Sequence, residues 1–551
     1  MNGMAREWKK MLLGTKINEK RKKYYYSRGY WTDKTVFDMF VQSVKNYPDK
    51  IAIVDNKQKA TYQSLYDKVM KFTTGLLKLN IKKGDFVSVQ LPNWIEYVIA
   101  YLSCAKIGAV FNPIPVKLRE SEVEYLLRLC ESKMYIIPNE FQNYNYISMA
   151  NSILKKVNIQ HIVVVNKTEN EGNLNEPYLS FDEVMNNEEI LESNEKVSSD
   201  DPLVVIFTSG TESHPKGVIH THNTVLFGER AMIETLKITE KDSVFMPSPI
   251  SHATGFLHGV NLPLIAGAKS VLMEKFIAEK ALEMMSEEKC TLTMGATPFL
   301  YDFLKILEKN QNKYDLTCFR FFLCGGAPIP RHLISKANQI GFKVLAVYGS
   351  TESPPHTVNR LDDDQELIAS YDGKPFPGID VKVVDEERNP LPYGVIGEEA
   401  SRGPNVFIGY LKQPELTEKY LDDDGWYYSG DLCVLHSNGY IRIVGRKKDI
   451  IIRGGQNISP VEIENILLTH PKVKNAAIVG YFDDRMGEKA CAFVVPVGGE
   501  KFTFEEMIAF LEKKKVAKYK YPEKLEIVDS LPMTASGKIQ KYMLKKMLEE
   551  H

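Results

Sequence analysis

Small hydroxyl residues, glycines and a single lysine crowd one short stretch of the chain. Residues 208–217 read TSGTESHPKG and follow the apolar run PLVVIF. Glycine permits backbone torsions and close approaches that other residues disfavour, and successive backbone N–H groups can surround an anion. The residues that could hold a phosphate here are Thr208, Ser209, Gly210, Thr211, Lys216 and Gly217. Because the stretch lacks the G-x-x-x-x-G-K-[ST] spacing of a P-loop, taken alone it fits either a phosphate-binding loop or a polar turn.

Two other loops place glycines or polar residues directly after an apolar run. RFFLCGGAPIP puts Gly325, Gly326 and Ala327 after one such run, and FKVLAVYGSTE puts residues 348–352 after another. In parallel α/β sheets, ligands bind beyond the carboxyl ends of the strands. These two loops and residues 208–217 are therefore the candidate ligand-binding loops of the chain.

The elements that must position these loops alternate between helix and strand patterns up to about residue 350. Amphipathic patterns such as TVFDMFVQSVKNYP alternate with short apolar runs such as KIAIVD, which predicts parallel sheets covered by helices. From about residue 375, short strand patterns joined by glycine turns predict a β-rich subdomain. The last hundred residues show an α+β pattern with a helix that Ser459 caps and Pro460 opens. We therefore expect an α/β protein with a large N-terminal domain and a separate small C-terminal domain.

Length and charge restrict the class of protein. A chain of 551 residues is too long for one core, and 70 Lys and Arg residues nearly cancel 71 Asp and Glu residues. This balance gives no case for nucleic-acid binding. The first 34 residues hold ten Lys or Arg against three acids, which fits a solvated arm or a weak attraction to an anionic membrane surface or ligand. No apolar run fits a signal peptide or a transmembrane helix, so any membrane contact is expected to be peripheral.

Cysteine usage indicates the compartment. The seven cysteines are scattered and contain no C-x-x-C pair. Reduced, mostly buried thiols are therefore expected, which predicts a cytoplasmic protein and argues against a structural zinc site. Nothing in the sequence indicates an oligomeric state.

Five motifs in a fixed order decide between the polar turn and the phosphate-binding loop. They are TSGTESHPKG (208–217), YGSTE (348–352), YYSGD (427–431), GRKKDIIIRGGQNISPVEIE (445–464) and LPMTASGKIQK (531–541). Through this series, and over nearly the whole chain from about residue 30, the sequence resembles the adenylate-forming superfamily of acyl-CoA synthetases, aryl-acid ligases and luciferases. The resemblance implies that a carboxylic acid attacks the α-phosphate of Mg-ATP, that pyrophosphate leaves, and that the thiol of CoA then attacks the acyl-AMP.

The resemblance also implies roles for individual residues. Besides residues 208–217, which would hold the β- and γ-phosphates, the implied ATP contacts are Gly325, Gly326, Ala327, Tyr348, Gly349, Ser350, Thr351, Asp431 and Arg446. Tyr348 would stack on adenine, Thr351 would contact the α-phosphate, and Asp431 would accept the ribose hydroxyls. Glu352 would bind Mg²⁺, which prefers hard oxygen ligands beside phosphates. Lys538 would bridge the acid carboxylate and the α-phosphate, two anions that repel without a cation between them. Taken singly, Asp431 could cap a turn and Lys538 could be a solvated lysine.

One departure from the family pattern concerns the phosphate loop. The family usually has T-S-G-T-T-G-x-P-K-G, whereas Glu212 and Ser213 replace Thr and Gly here. A carboxylate in a phosphate site is unfavourable unless it points outward or pairs with a cation such as His214 or Lys216. We expect Glu212 to point outward. Weakened ATP binding, or a nucleotide-binding protein that has lost catalysis, is the alternative.

The resemblance implies that the C-terminal domain rotates between the two half-reactions. The hinge would be Lys448, two residues after the motif arginine. The chain would then divide into an ATP- and acid-binding domain, residues 1–447 with the β-rich subdomain at about 375–447, and a mobile domain, residues 448–551. After rotation, Gly454 and Gly455 would lie along the pantetheine arm of CoA, a glycine turn being the plain alternative. Lys518 or Lys520 could meet a CoA phosphate, or could belong to a solvated face.

Two segments bear on the identity of the acid. In SPISHATGFLHG, His252 would lie near the carboxylate and Phe256 along the pocket wall, and MGATPFLYDFL with Gly295 would form another wall. These segments most resemble bacterial short- and medium-chain fatty acyl-CoA synthetases, and no basic residue stands out as a partner for a second carboxylate.

The alternative is an aryl-acid AMP ligase that loads a carrier protein, because YYYSRGYW resembles the opening of dihydroxybenzoate ligases. Those enzymes typically have Asn where Ala253 follows His252 here. Cyclohexane or aromatic carboxylates with CoA stay open.

Overall fold

Two large sheets, each parallel through most of its strands, build the greater part of the chain. The computed structural model describes residues 15–16, 18–166, 177–208, 215–310, 313–326, 329–453, 456–534 and 537–549. Within these residues the strands of the first sheet are, in spatial order, Lys374–Pro375, Thr357–Val358, Lys343–Tyr348, Phe321–Gly325, Leu292–Ala296, Ser243–Met246, Lys269–Leu272, Ile51–Val54 and Lys59–Thr61. The strands from Lys343–Tyr348 to Ile51–Val54 pair in parallel, and the edge strands pair antiparallel.

The second sheet combines a parallel core with an antiparallel edge. Its described strands are, in spatial order, Gly409–Tyr410, Lys216–Thr221, Pro202–Thr208, Val110–Pro113, Phe86–Val89, Met134–Pro138, His161–Val165 and Tyr178–Ser180. The strands from Pro202–Thr208 onward pair in parallel. The two strands on either side of the predicted phosphate loop pair antiparallel, and the first of them in spatial order, Lys216–Thr221, also pairs with the edge strand Gly409–Tyr410. A small hairpin of Glu140–Phe141 and Tyr144–Asn145 lies apart from both sheets.

Helices connect and cover the strands of both sheets. Up to Tyr420 the described α-helices are Glu19–Ser27, Val36–Asn46, Tyr62–Lys78, Ile95–Ile107, Glu120–Cys130, Tyr146–Leu154, Phe181–Met185, His222–Leu236, Leu262–Ala266, Ala278–Glu287, Thr297–Asn310, Arg331–Ile340, Gln365–Ser370 and Pro414–Tyr420. Local chemistry sets their ends: the Thr61 side chain accepts the Ser64 N–H, and Gly108 takes the left-handed conformation after Ile107. One continuous core of buried apolar residues joins these helices to the strands.

A four-stranded antiparallel sheet of described residues forms the predicted β-rich subdomain. Its strands are, in spatial order, Asp380–Val384, Ile396–Arg402, Tyr427–Leu435 and Ile441–Arg446. The register places Asp431 directly opposite Arg446. Two residues that the motif series singles out, 15 positions apart in the chain, are therefore neighbours across a strand pair.

The C-terminal part has a sheet and a core of its own. The 3₁₀ turn Lys447–Asp449 leads into strands ordered Gln456–Ile458, Ile451–Arg453, Gly487–Pro496 and Val473–Asp483, and Lys524–Ile527 pairs in parallel with Gly487–Pro496. The helices are Pro460–Leu467, Phe504–Lys513 and Lys541–Glu549, with short 3₁₀ turns at Val497–Gly499 and Lys518–Lys520. Separate apolar clusters lie on the two faces of this sheet. This architecture confirms the predicted α/β fold with a β-rich subdomain and a small α+β C-terminal part.

One local prediction is wrong. Ser459 lies at the N-cap position of the helix that Pro460 opens, yet its side chain caps no backbone N–H. The hydroxyl instead donates a hydrogen bond to the carbonyl oxygen of Val444 at 2.6 Å. The serine therefore ties the C-terminal helix to the last strand of the β-rich subdomain, a long-range contact that the helix pattern could not reveal.

The structure also bears on the membrane. Among the described residues, we find no helix that is both long and apolar enough to cross a bilayer.

Candidate active site

The glycine loop and the Tyr348 loop follow two strands that pair in parallel. Gly326 has φ of +87°, in the left-handed region that favours glycine. A Cβ added to Gly325 would lie 2.9 Å from the carbonyl oxygen of Val347, so a side chain would not fit there without a shift. Gly325 and Gly326 therefore come beside Tyr348, whereas Ala327 lies outside the described residues. Their contact with adenine stays a prediction.

The loop after Tyr348 is held from both sides. A Cβ on Gly349 would lie 2.7 Å from the Cα of Pro355, so the turn needs glycine. Nε2 of His220 lies 2.7 Å from the carbonyl oxygen of Thr351. Because that oxygen only accepts, Nε2 carries the proton and donates it. Burial lowers the pKa of His220 to about 4, so the ring is neutral at pH 7 and acts as a fixed hydrogen-bond donor to the Thr351 backbone.

Glu352 is oriented by residues from the far end of the second sheet. Its Oε1 accepts a hydrogen bond from the Tyr410 hydroxyl at 2.9 Å, and its carbonyl oxygen accepts the Phe407 N–H at 2.8 Å. Ser350 lies just before it, with its hydroxyl 3.4 Å from that of Tyr427. The predicted metal ligand is thus half-buried and directed by a tyrosine that the motif series does not include.

The predicted phosphate loop is described at its two ends. Thr208 and Lys216 face each other across the hairpin. A Cβ on Gly217 would lie 3.0 Å from the Phe207 ring, which leaves little space for a side chain. The Lys216 ammonium lies 4.7 Å from the centre of the Tyr420 ring. The remaining predicted phosphate-loop residues lie outside the described part of the chain: Ser209, Gly210, Thr211 and the unusual Glu212.

Asp431 lies between an arginine and the hydroxyl of Tyr348. Its Oδ1 accepts a hydrogen bond from Nε of Arg446 at 2.7 Å, and its Oδ2 accepts one from the Tyr348 hydroxyl at 2.8 Å. The charge of Asp431 raises the pKa of Arg446, and burial followed by the nearby carboxylates raises the pKa of Tyr348. Asp431 is only 8% exposed, so it is a fixed carboxylate beside the ring predicted to hold adenine.

The C-terminal lysine reaches this same site. Desolvation and then the positive charge of Arg446 lower the pKa of Lys538, while Asp431 and Glu352 counteract part of that shift. Desolvation, followed by the charge of Lys538, lowers the pKa of His252. Both residues nevertheless keep exposed surface. Lys538 therefore lies within electrostatic range of Arg446, Asp431, Glu352 and His252.

A turn at the end of the C-terminal sheet presents Lys538. The residues on either side, Met533 and Ile539, form an antiparallel bridge, and the Lys538 carbonyl accepts the Thr534 N–H at 2.8 Å. Gly537 has φ of +83°, and a Cβ added to it would lie 3.2 Å from the Cβ of Ala296. The turn therefore packs against the segment predicted to form an acyl wall.

The predicted acyl walls have an unexpected local form. Residues Gly255–Asn261 form a π-helix, a rare element that is frequent at functional sites. Phe256 is fully buried within it, its ring 4.7 Å from that of Tyr101. A Cβ on Gly295 would lie 2.9 Å from the Phe299 ring. These aromatic rings belong to the apolar core, and their contact with the acid stays a prediction.

The two lysines predicted to contact CoA lie near acidic side chains of the C-terminal part. Both carboxylate oxygens of Glu462 lie 2.7 Å from the Lys520 ammonium, so that charge already has a partner. Lys518 is largely exposed, 3.6 Å from Glu512. Lys448 lies in the Lys447–Asp449 turn between the two parts of the chain, where a hinge would be. The other two predicted CoA contacts, Gly454 and Gly455, lie outside the described residues.

Sequence reasoning missed three residues that hold the site. Tyr410 orients Glu352, His220 holds Thr351, and Glu399 lies fully buried near the Tyr348 hydroxyl. Each stands in a strand pattern in which a tyrosine, histidine or glutamate is unremarkable. For Glu399 the sequence contains a weak signal, because GEEASRG places two carboxylates in succession on a strand. Successive side chains point to opposite faces of a sheet, so one of the two must face inward.

Comparisons with known proteins agree with this geometry. The family model described as AMP-binding enzyme matches residues 40–411, and its C-terminal domain model matches residues 462–538. The chain is 44% identical over 533 residues to the medium-chain fatty-acid–CoA ligase of Escherichia coli K12, covering 96% of this chain and 93% of that protein. It is 32% identical to a mitochondrial medium-chain acyl-CoA ligase of Macaca fascicularis, covering 95% of this chain and 89% of that protein.

A solved structure shares the architecture. The crystal structure of the anthranilate CoA ligase AuaEII in complex with anthranoyl-AMP superposes with a TM-score of 0.85 at 25% identity, covering 94% of this chain and 98% of that one. The fold and these matches define a ligase that activates its substrate through an adenylate. The chain belongs to the AMP-binding enzyme family.

Proposed function

We propose that this protein is an AMP-forming acyl-CoA synthetase whose acid is a medium-chain fatty acid. The observation that carries the proposal is the packing of Gly537, next to Lys538, against Ala296, whose strand partner is Gly325. This packing brings Lys538 within electrostatic range of Asp431, Arg446 and Glu352. A cation for two repelling anions, an acceptor for ribose hydroxyls and a hard oxygen ligand are the groups that adenylation requires. Their presence argues against a nucleotide-binding protein without catalysis.

In the first step, a carboxylate oxygen of the acid bonds to the α-phosphorus of ATP as the bond to the pyrophosphate oxygen breaks. Lys538 would lie between the two anions and reduce their repulsion. Asp431 would orient the nucleotide through its ribose hydroxyls. His252 would face the acid as a neutral ring, because its lowered pKa leaves it without charge at pH 7.

Glu352 suits the Mg²⁺ that accompanies ATP. No group of three or more His, Cys, Asp or Glu side chains that could hold a metal exists among the described residues. Mg²⁺ is typically held by one or two carboxylates together with substrate phosphates and water, and a single oriented carboxylate fits that mode. When bound, Mg²⁺ would supply charge neutralisation at the phosphates.

In the second step, the sulfur of CoA bonds to the acyl carbon, the thiol proton is lost and AMP leaves. Lys538 belongs to the C-terminal part of the chain and would lie beside the acid and the α-phosphate during the first step. A rotation of residues 448–551 about Lys448 would withdraw it and admit the thiol. Gly454 and Gly455 would then lie along the pantetheine arm, and Lys518 would be the freer of the two lysines to meet a CoA phosphate.

Two observations support an aliphatic acid of medium length. The E. coli relative, whose name states that substrate class, shares 44% identity with this chain over 96% of its length. The walls predicted for the acid are apolar, with Phe256, Phe299 and Gly295 among them.

Pyrophosphate release with Mg-ATP tests this proposal. The purified protein would be assayed with acids from butyrate to palmitate, with benzoate, cyclohexanecarboxylate and 2,3-dihydroxybenzoate, each with and without CoA. We expect CoA-dependent turnover that is fastest on medium-chain aliphatic acids. Activation of an aryl acid without CoA turnover would instead assign the protein to ligases that load a carrier protein. Failure to release pyrophosphate with any acid would support a protein without catalysis.

We also propose a cytoplasmic location with at most peripheral membrane contact. All seven cysteines are free, and six of them are buried, which suits a reducing compartment. Fractionation of cells followed by detection of the chain would test this. Recovery in the salt-resistant membrane fraction would contradict it.

A further inference from the structure

A buried carboxylate lies beneath the nucleotide residues and has no role in the motif series. Glu399, in the strand Ile396–Arg402, has 0% of its surface exposed. Its Oε1 lies 3.2 Å from Nε2 of His356, and its Oε2 lies 3.4 Å from the hydroxyl of Tyr348. Burying a carboxylate costs free energy unless hydrogen bonds compensate. The position of Glu399 therefore calls for a reason beyond packing.

His356 fixes one oxygen of this carboxylate. The Ser353 hydroxyl oxygen lies within hydrogen-bonding distance of two donors, the Ser401 hydroxyl at 3.1 Å and the Asn405 amide at 3.3 Å. Its own hydrogen is then available for Nδ1 of His356, 3.2 Å away. The ring proton accordingly belongs on Nε2, which donates to Glu399. A doubly protonated ring, with Nδ1–H donating to the Ser353 carbonyl at 3.2 Å, leads to the same donation.

The other oxygen of Glu399 competes with Asp431 for a single hydrogen. The Tyr348 hydroxyl has one hydrogen, which it donates to Oδ2 of Asp431 at 2.8 Å. Asp431 also accepts from Arg446, so each of its oxygens already has one donor. Two ribose hydroxyls would add two more donors, and the carboxylate would then have all of its roughly four lone-pair sites filled. The ribose would bind more easily if the Tyr348 hydroxyl had another acceptor to turn to.

We propose that Glu399 is a positioning residue for the nucleotide, a second acceptor to which the Tyr348 hydroxyl turns when ribose hydroxyls occupy Asp431. This inference rests on the proposed assignment of the ribose to Asp431. The turn is a rotation of one O–H bond, with no covalent change and no proton transfer. Its benefit is that no buried donor is left unpaired when ATP binds, and an unpaired buried donor is costly. The ring of Tyr348 can keep its place for adenine throughout, since the ring of His356 packs edge-on against it at 5.1 Å.

Glu399→Gln tests the proposal with little change of shape. The glutamine can present its carbonyl oxygen to His356, and its amide then donates toward Tyr348 and no longer accepts. Losing one hydrogen bond in the nucleotide complex should raise the KM for ATP roughly three- to tenfold, with kcat little changed. The decisive measurement repeats the substitution in a Tyr348→Phe background. There the KM should not change further, because the hydroxyl through which Glu399 acts is gone.

Matched controls separate this role from stability. Asp372→Asn neutralises another buried carboxylate, which accepts the Ile443 N–H and lies 3.6 Å from Arg442. We expect that variant to leave the KM for ATP unchanged. A second nucleotide provides an independent readout: with 2′,3′-dideoxy-ATP, which has no ribose hydroxyls, the Glu399→Gln penalty should vanish. Thermal denaturation would be recorded for each variant.

Several outcomes would overturn the inference. One is an equal rise in KM with and without the Tyr348→Phe substitution, and another is an equal penalty with ATP and the dideoxy analogue. Either result would make Glu399 merely structural. Should Glu399→Gln fail to fold, Glu399→Asp withdraws the acceptor by one methylene and the same comparisons apply.

Asp431→Asn separates this inference from the ribose assignment on which it rests. If that variant binds ATP normally, the ribose assignment fails, and if it alone weakens ATP binding, only the role of Glu399 fails.

Discussion

The hydroxyl of Tyr410 donates a hydrogen bond to Oε1 of Glu352 at 2.9 Å, and the two residues are 58 positions apart in the chain. Tyr410 comes from an edge strand of the second sheet, whereas Glu352 follows a strand of the first. The contact therefore joins the two sheets at the carboxylate proposed to bind Mg²⁺. Burial and the Glu352 charge raise the pKa of Tyr410, which keeps it a donor at any pH of interest.

Tyr410→Phe should weaken the use of Mg²⁺. Groups that orient a metal ligand typically change metal affinity tenfold or more, so we expect the half-saturating concentration of free Mg²⁺ to rise by roughly tenfold. The rate at saturating Mg²⁺ should be largely recovered. Pyrophosphate release titrated with Mg²⁺ at fixed ATP measures this. Tyr428→Phe removes a similar bond of 2.9 Å to Asp422 in the β-rich subdomain and serves as the control. A lower maximal rate with an unchanged Mg²⁺ dependence would argue that Tyr410 does not act through Glu352.

Lys538→Ala should separate the two half-reactions. Without the cation, the acid and the α-phosphate repel, and loss of one such charge stabiliser costs about 100-fold or more in rate. Thioester formation from supplied acyl-AMP should be spared, because the proposed rotation withdraws Lys538 before the thiol enters. Pyrophosphate release and acyl-CoA formation from acyl-AMP would be measured separately. Lys546→Ala, at an exposed lysine of the same C-terminal part, is the matched control. Equal loss of both steps would mean that Lys538 acts on the fold or on both reactions.

The motifs could be predicted from the sequence because each is a contiguous stretch of the chain. The resulting placement of Tyr348 beside Gly325, and of Asp431 near Arg446, follows from strand order and register. The supporting residues could not be predicted in this way. Tyr410 and Glu399 act across sheets and strands far apart in the chain, and no local periodicity encodes such contacts.

Two further details show where sequence patterns end. Lys520 belongs to a basic stretch of the sequence, yet only the fold reveals that its ammonium group forms an ion pair with Glu462, 58 positions earlier. Ser459 occupies an N-cap position, yet its hydroxyl donates to Val444 because the β-rich subdomain packs against that helix. In both cases the side-chain type was identified correctly and its partner was decided by tertiary packing.

Lys448→Pro should impair the second half-reaction more than the first. Proline fixes one of the two backbone torsions at its position and removes the N–H, so a hinge that must change its torsions is restrained. Because Lys538 already lies within electrostatic range of Asp431 and Glu352, adenylation should survive, while acyl-CoA formation should fall by about tenfold or more. Lys448→Ala, which removes the side chain and leaves the torsions free, is the control. Normal acyl-CoA formation by the proline variant would place the hinge elsewhere.

The buried histidine His222 should make the protein less stable in acid. Its Nδ1 accepts the Val36 N–H at 3.1 Å, so the neutral ring carries its proton on Nε2, which has no partner among the described residues. Burial lowers the pKa of His222 to about 3, whereas an unfolded histidine has a pKa of about 6.5. At pH values between these two pKa values the unfolded chain binds a proton that the folded chain does not bind, so the free energy of unfolding falls as the pH falls. The contribution is about 1.4 kcal/mol per pH unit.

His222→Asn should remove this slope while keeping an acceptor for Val36. The four tryptophans, Trp8, Trp31, Trp94 and Trp426, all precede residue 447, so denaturation followed by tryptophan fluorescence reports on that part of the chain. Between about pH 6 and pH 5 the free energy of unfolding of the wild type should fall more steeply with decreasing pH than that of the variant. The difference in slope should correspond to the uptake of close to one proton on unfolding. Above about pH 7.5 neither the folded nor the unfolded ring is protonated, and the two curves should run parallel, which provides an internal control. Parallel curves down to about pH 5 would mean that His222 takes up its proton while the protein is folded.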